Sequence, residues 1–67
     1  MINNFKRARL ISGLTQMELA EKLGVSTVAV HNWECGRNLP KAKRLKDVAH
    51  ALQTTASFLL DDEERAV

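Results

Sequence analysis

Sixty-seven residues, 45% of them hydrophobic and carrying a net charge of +2, describe one small domain with a thin core. The single cysteine, Cys35, excludes a disulfide staple within the chain, and with His31 and His50 it gives too few ligands for a structural zinc site. No apolar run follows the charges of MINNFKRAR and no stretch reaches the length of a membrane span, so no signal peptide, no membrane contact and a cytoplasmic location are expected.

The first helix is predicted over about residues 4–12. Asn3 or Asn4 can cap it, and Gly13 ends it in the left-handed conformation. Phe5, Ala8 and Arg9 share a face, while Leu10 and Ile11 fall partly off it. Those two are either ordinary core or an apolar surface patch awaiting a partner.

The second helix has the clearest start signal. Thr15-Gln16-Met17-Glu18 is a capping-box pattern, in which the threonine hydroxyl accepts from the Glu18 amide and the Glu18 carboxylate accepts from the Thr15 amide. Leu19, Ala20 and Leu23 then follow at the spacing of a buried stripe, and Gly24 stops the helix.

The stretch GVSTVAVHNWECG, residues 24–36, alternates valines with small residues as a strand would. Ser26 is nevertheless an N-cap candidate, and a helix from there puts Ala29, Val30 and Trp33 on one face. A strand would bury Val28, Val30 and Asn32 and turn the only tryptophan the other way. The helical reading buries the larger side chain and no amide, at a few tenths of a kcal/mol for each β-branched residue. It is preferred, with Trp33 as a core anchor and with Thr27, Val28, His31 and Asn32 pointing elsewhere.

After the loop Gly36-Arg37-Asn38-Leu39-Pro40, the residues Ala42, Leu45, Val48, Ala49 and Leu52 repeat as the apolar stripe of a fourth helix. Lys41, Lys43, Arg44 and Lys46 crowd its N-terminal half, where cations oppose the helix dipole and a nearby phosphate would reverse the cost. Thr55 can cap a short fifth helix over 56–60, with Phe58, Leu59 and Leu60 as its apolar side chains. Residues 61–67 read as an acidic, fraying tail after a domain of 1–60.

Charge is divided unevenly along this chain. Residues 1–60 hold nine Lys and Arg against the four acids Glu18, Glu21, Glu34 and Asp47, and the tail is acidic. Such a body suits a polyanion partner or a solvated basic surface. No Ser/His/Asp, Cys/His or paired-carboxylate arrangement stands at a useful spacing for catalysis, so no enzyme, no cofactor and no small-molecule ligand is expected.

Two short helices joined at Gly24, the second capped by Ser26, make a helix-turn-helix. The run LTQMELAEKLGVSTVAVHNWECGRNLP resembles that of the phage Cro/CI-type repressors, the Xre family, at Leu14-Thr15-Gln16, Leu19-Ala20, Leu23-Gly24-Val25-Ser26, Val30, Trp33-Glu34, Gly36 and Pro40. The run ending Leu52-Gln53-Thr54-Thr55 before Phe58-Leu59-Leu60 is similar to the later helices of that family. The resemblance implies an all-α, compact five-helix, lambda-repressor-like DNA-binding domain whose helix-turn-helix is its second and third helices. It implies base reading by Thr27, Val28 and Asn32 with His31 flanking, Asn32 pairing with adenine and Val28 meeting thymine methyls. The residue-level alternatives are core packing for Val28 and simple solvation for His31. Thr15 and Gln16, at a helix N-terminus, match phosphate contacts, and Arg37, Lys41, Lys43 and Arg44 would add others. Arg9 and Glu34 match a structural ion pair. Cys35, Gln53 and the apolar pair Leu10-Ile11 depart from the pattern: a polar or basic residue is common at the first position and a glycine at the second.

The expected function is therefore a sequence-specific transcriptional regulator, a Cro-like repressor by its size, binding a pseudo-palindromic operator on double-stranded DNA as a homodimer. Phe58, Leu59 and Leu60 are the expected dimer surface, with Leu10 and Ile11 as a second candidate. The resemblance also implies a bacterial or phage source and a place on the nucleoid. A restriction-modification controller has the same build. An antitoxin is the reading from another class, although seven residues after Leu60 are few for a toxin-wrapping segment.

Overall fold

Four of the five helices in the computed structural model, which describes residues 3–61, begin on a side chain that accepts from their own first turn. Asn3 accepts from the amide of Lys6 to start α1 (Asn4–Ile11). Thr15 starts α2 (Gln16–Leu23) with the complete capping box, at 3.0 Å from the Glu18 amide and 2.8 Å from the Thr15 amide back to Glu18 Oε1. Ser26 accepts from Ala29 at 3.1 Å to start α3 (Thr27–Glu34), and Thr55 accepts from Phe58 at 3.0 Å to start α5 (Ala56–Leu60). Only α4 (Ala42–Ala51) begins without one, at Lys41.

The ends are equally regular. Gly13, Gly24, Gly36 and Gln53 each take a positive φ just past α1, α2, α3 and α4. In each case the amide of that residue and the next one bond back to the last turn, as Gln53 to His50 at 3.1 Å and Thr54 to Ala49 at 2.9 Å do. Gln53 stands where the family resemblance leads one to expect a glycine, a departure that should blunt the stop of the fourth helix. The helix stops there all the same, with a φ of 56° that an L side chain adopts only at a cost.

Every helix contributes to one core. Phe5 and Ala8 come from α1, Leu19, Ala20 and Leu23 from α2, Val30 and Trp33 from α3, Leu45, Val48 and Ala49 from α4, and Leu59 from α5, with Leu52 closing the end of α4. The residues preferring a helix over 24–36 are placed as that reading requires. Val30 is fully buried, Trp33 packs its ring against Phe5 at 6.3 Å, and Val28 is 66% exposed. Ala29 lies at the edge of the core.

Three details differ from the sequence reading. Ala42, taken as the start of the α4 stripe, is exposed, because the first turn stands clear of the core and burial begins at Leu45. Asn4 does not cap α1. It is buried, and its side-chain amide donates to the carbonyls of Phe58 (2.8 Å) and Asp61, tying the start of α1 to the end of α5. Leu59, expected on a dimer surface, is turned inward by that tie and is 4% exposed. Leu60 is exposed beside it, and Phe58 is half-buried. Of the acidic tail only Asp61 falls within the described residues.

Candidate nucleic-acid interface

The helix α3 has two faces of different character. Val30 and Trp33 hold it to the core, while Thr27, Val28 and His31 are exposed and Asn32 is half-buried. Ser26 and Gly24 fix its start and its entry angle, so these four side chains are presented by a capped, rigid element. Val28, Asn32, Asn38, Leu39, Lys41 and Arg44 line one open groove between α3 and the loop leading to α4. An isopropyl group and a carboxamide thus share a surface with two cations. Asn38 also belongs to this groove, although a loop asparagine two residues before a proline reads as an ordinary turn residue.

A buried ion pair sets the position of α3. Arg9 Nε donates to Glu34 Oε2 at 2.6 Å and Nη2 donates to Oε1 at 3.1 Å, with the two side chains 8% and 3% exposed. Arg9 Nη1 also donates to the Leu14 carbonyl at 2.8 Å. Gln16 Nε2 completes the network by donating to Glu34 Oε1 at 3.0 Å. The pair expected from the resemblance is therefore present, and it links α1, the start of α2 and the end of α3. Removal of either charge would leave the other buried and unpaired.

The other phosphate candidates sit in three settings. At the start of α2 the amides of Gln16 and Met17 have no partner within the helix, as first-turn amides do not. Thr15 Oγ1 is spent as an acceptor, but its hydroxyl proton can still be donated. Gln16 is half-buried and held by Glu34, a restraint that spacing could not reveal because it joins two helices. Arg37, Lys41 and Lys43 are exposed. Arg44 is different. Its Nη1 donates to the Leu23 carbonyl at the end of α2 (2.8 Å) and lies 3.8 Å from Asp47 Oδ2, so its charge is committed in part to joining α4 to α2. Lys41, Lys43, Arg44 and Asp47 surround one surface depression.

Five helices, the second and third joined at a left-handed glycine and the third facing outward beside cationic side chains, define a helix-turn-helix DNA-binding domain. Residues 5–59 match the helix-turn-helix family, and the chain belongs to that family in its Cro/CI (Xre) form. It is similar to the HTH-type transcriptional activator BcrR of Enterococcus faecalis, 40% identical over 63 residues, covering 91% of this chain and 31% of that protein. An uncharacterized transcriptional regulator in the ATPase CF(0) region of Rhodospirillum rubrum is 40% identical over 60 residues, covering 90% of this chain and 54% of that one. The uncharacterized HTH-type regulator YqaE of Bacillus subtilis (strain 168) is 33% identical over 60 residues, covering 90% and 52%. The chain thus spans about half the length of two of these relatives and about a third of the other. No solved structure matches at a comparable level of significance. Among the described residues no helix is long and apolar enough to cross a membrane.

Proposed function

We propose that this chain is a sequence-specific regulator of transcription that reads the major groove through Thr27, Val28 and Asn32, with His31 flanking. The observation that carries the reading is the exposed Val28, an apolar side chain on a rigid capped helix, in one groove with Asn32 and Lys41. A methyl-bearing side chain recognises thymine methyls, and a carboxamide pairs with the N6 and N7 edge of adenine. The first-turn amides of α2 and the side chains of Thr15, Arg37, Lys41 and Lys43 then hold phosphates on either side, fixing register without reading sequence.

One protomer offers one reading helix, which is too little contact for high specificity. Two copies on a pseudo-palindromic operator supply the rest, and the exposed Leu60 with the outer part of Phe58 supports a homodimer contact. Bound over a promoter, such a dimer represses by occlusion. Selection of sites from random DNA tests the reading. Enrichment of a two-fold-related, A·T-containing site is expected, as is a plot of log K against log salt with a slope of about −0.9 for each phosphate neutralised. A flat plot, or a selection unchanged when Thr27, Val28 and Asn32 are replaced together, overturns it. A reporter carrying the selected site across its promoter should fall on expression of the protein; a rise overturns repression.

A further inference from the structure

The groove between α3 and the loop before α4 exposes apolar side chains. Val28 and Leu39, 66% and 61% exposed, both line it, and Ala29 and Pro40 extend the apolar surface around them. We propose that this surface seats the C5-methyl group of a pyrimidine without regard to which pyrimidine carries it. At the base pair that Val28 meets, 5-methylcytosine then replaces thymine and plain cytosine does not. Binding therefore responds to methylation of DNA at cytosine C5. The proposal rests on the major-groove reading of α3 given above.

Thymine and 5-methylcytosine present the same methyl group in the major groove. They differ beside it, where thymine offers the O4 acceptor and cytosine the N4 donor. Only a side chain fixed as a donor or as an acceptor tells them apart there, and an isopropyl group is neither. The uncharged polar side chains of the groove are Ser26, Asn32 and Asn38. A hydroxyl and a carboxamide each hold a donor and an acceptor, so each meets O4 or N4 alike. No carboxylate, the group that selects cytosine N4, lines the groove among the described residues. Its donor-only side chains are Lys41 and Arg44. Arg44 Nη1 is committed to the Leu23 carbonyl at 2.8 Å, with Asp47 at 3.8 Å. Lys41 is exposed at the start of α4 and is the cation assigned above to a phosphate.

The mounting of Val28 suits this task. The Ser26 cap starts α3, and buried Val30 and Trp33 hold it, so the backbone beneath Val28 is fixed. Valine has one side-chain torsion, which a helix nearly fixes. Little freedom is lost when a methyl group packs against it. Burial of that one methyl is worth about a fourfold change in affinity in each half-site. A site with cytosine at this position is thus weak until a methyl group is transferred to C5, and strong afterwards.

The test uses the full chain and the DNA site it selects from a random pool. Each thymine of that site is replaced in turn by uracil, which removes the methyl group and nothing else. At one position of the half-site the parent should lose about fourfold in affinity. Val28→Ser, a change at an exposed position that the fold tolerates, should bind the thymine and uracil sites there equally. At the same position a 5-methylcytosine·G pair should bind the parent about fourfold more tightly than a cytosine·G pair, and Val28→Ser should not distinguish them. A selected site that no uracil substitution weakens overturns the proposal and leaves the major-groove reading standing. So does a methyl effect that persists in Val28→Ser, and so does 5-methylcytosine that binds no better than cytosine. Failure to select any site overturns both readings.

Discussion

The stretch from Thr15 to Gly36 and the stretch from Lys41 to Asp61 are each two helices and a turn, but they are specified in different ways. In the first, local chemistry and tertiary position agree: a full capping box, a serine cap, and glycine at both left-handed stops. In the second, α4 begins uncapped at Lys41, carries Lys43, Arg44 and Lys46 against its dipole, and stops on Gln53 at φ 56°. Burial of Leu45, Val48, Ala49 and Leu52 holds that helix instead. Local signals are complete around α3, the helix proposed to read DNA, and relaxed at the start of α4, whose exposed cations belong to the proposed phosphate contacts.

The largest effect is expected from the inner face of α3. Trp33→Ala removes a side chain 6% exposed and packed on Phe5, and should cost about 3–5 kcal/mol by denaturant unfolding. A loss under about 1 kcal/mol would mean that tertiary burial does not hold the first region and would erase the contrast. Glu34→Ala should follow at about 3 kcal/mol, because Arg9 stays buried without its partner and Gln16 loses its acceptor. Replacing both Arg9 and Glu34 with apolar residues should recover much of that loss, and a double variant as unstable as the single one would show that the pair is needed for more than its charges.

Much of the first region could be read from the sequence, because its signals lie within four residues of each other. Thr15 with Glu18 and Ser26 before a helical stripe announce themselves, and so do Gly24 and Gly36. The valines of 24–36 alternate as in a strand, and the inward place of Trp33 is what distinguishes the helix. The second region was harder. Leu59 looked like a surface residue because nothing near it in sequence reveals that Asn4 draws α5 onto α1. Arg44 reads like its lysine neighbours, and its bond to the Leu23 carbonyl joins α4 to α2 across 21 residues of sequence. Gln16 reads as a phosphate contact at a helix N-terminus, while its tie to Glu34 exists only in the folded chain.

The relaxed signals of the second region should be repairable. Gln53→Gly places glycine at the one left-handed stop that lacks it among the described residues, and should stabilise by about 1 kcal/mol. Thermal unfolding of the variant checks this. No gain would mean that Gln53 makes up its backbone cost elsewhere. DNA affinity should not move, since Gln53 lies on no candidate contact.

Lys41→Asp is smaller in stability and sharper in meaning. Lys41 is the N-cap of α4, in extended conformation, with no side-chain bond to the first turn. An aspartate there can accept from the amide of Lys43 or Arg44 and also complements the dipole, a gain of about 0.5–1 kcal/mol. The same change removes a cation from the groove shared with Val28 and Asn32 and puts an anion in its place. DNA affinity should therefore fall, and the salt slope should become shallower by about one unit in each protomer. Lys41→Ser separates the two contributions, because it restores a cap without adding negative charge. Both variants should be more stable than the parent, and both should bind DNA more weakly, the aspartate more so. If they bind DNA as well as the parent, the uncapped start of α4 is not explained by phosphate contact, and the second region differs from the first in stability alone.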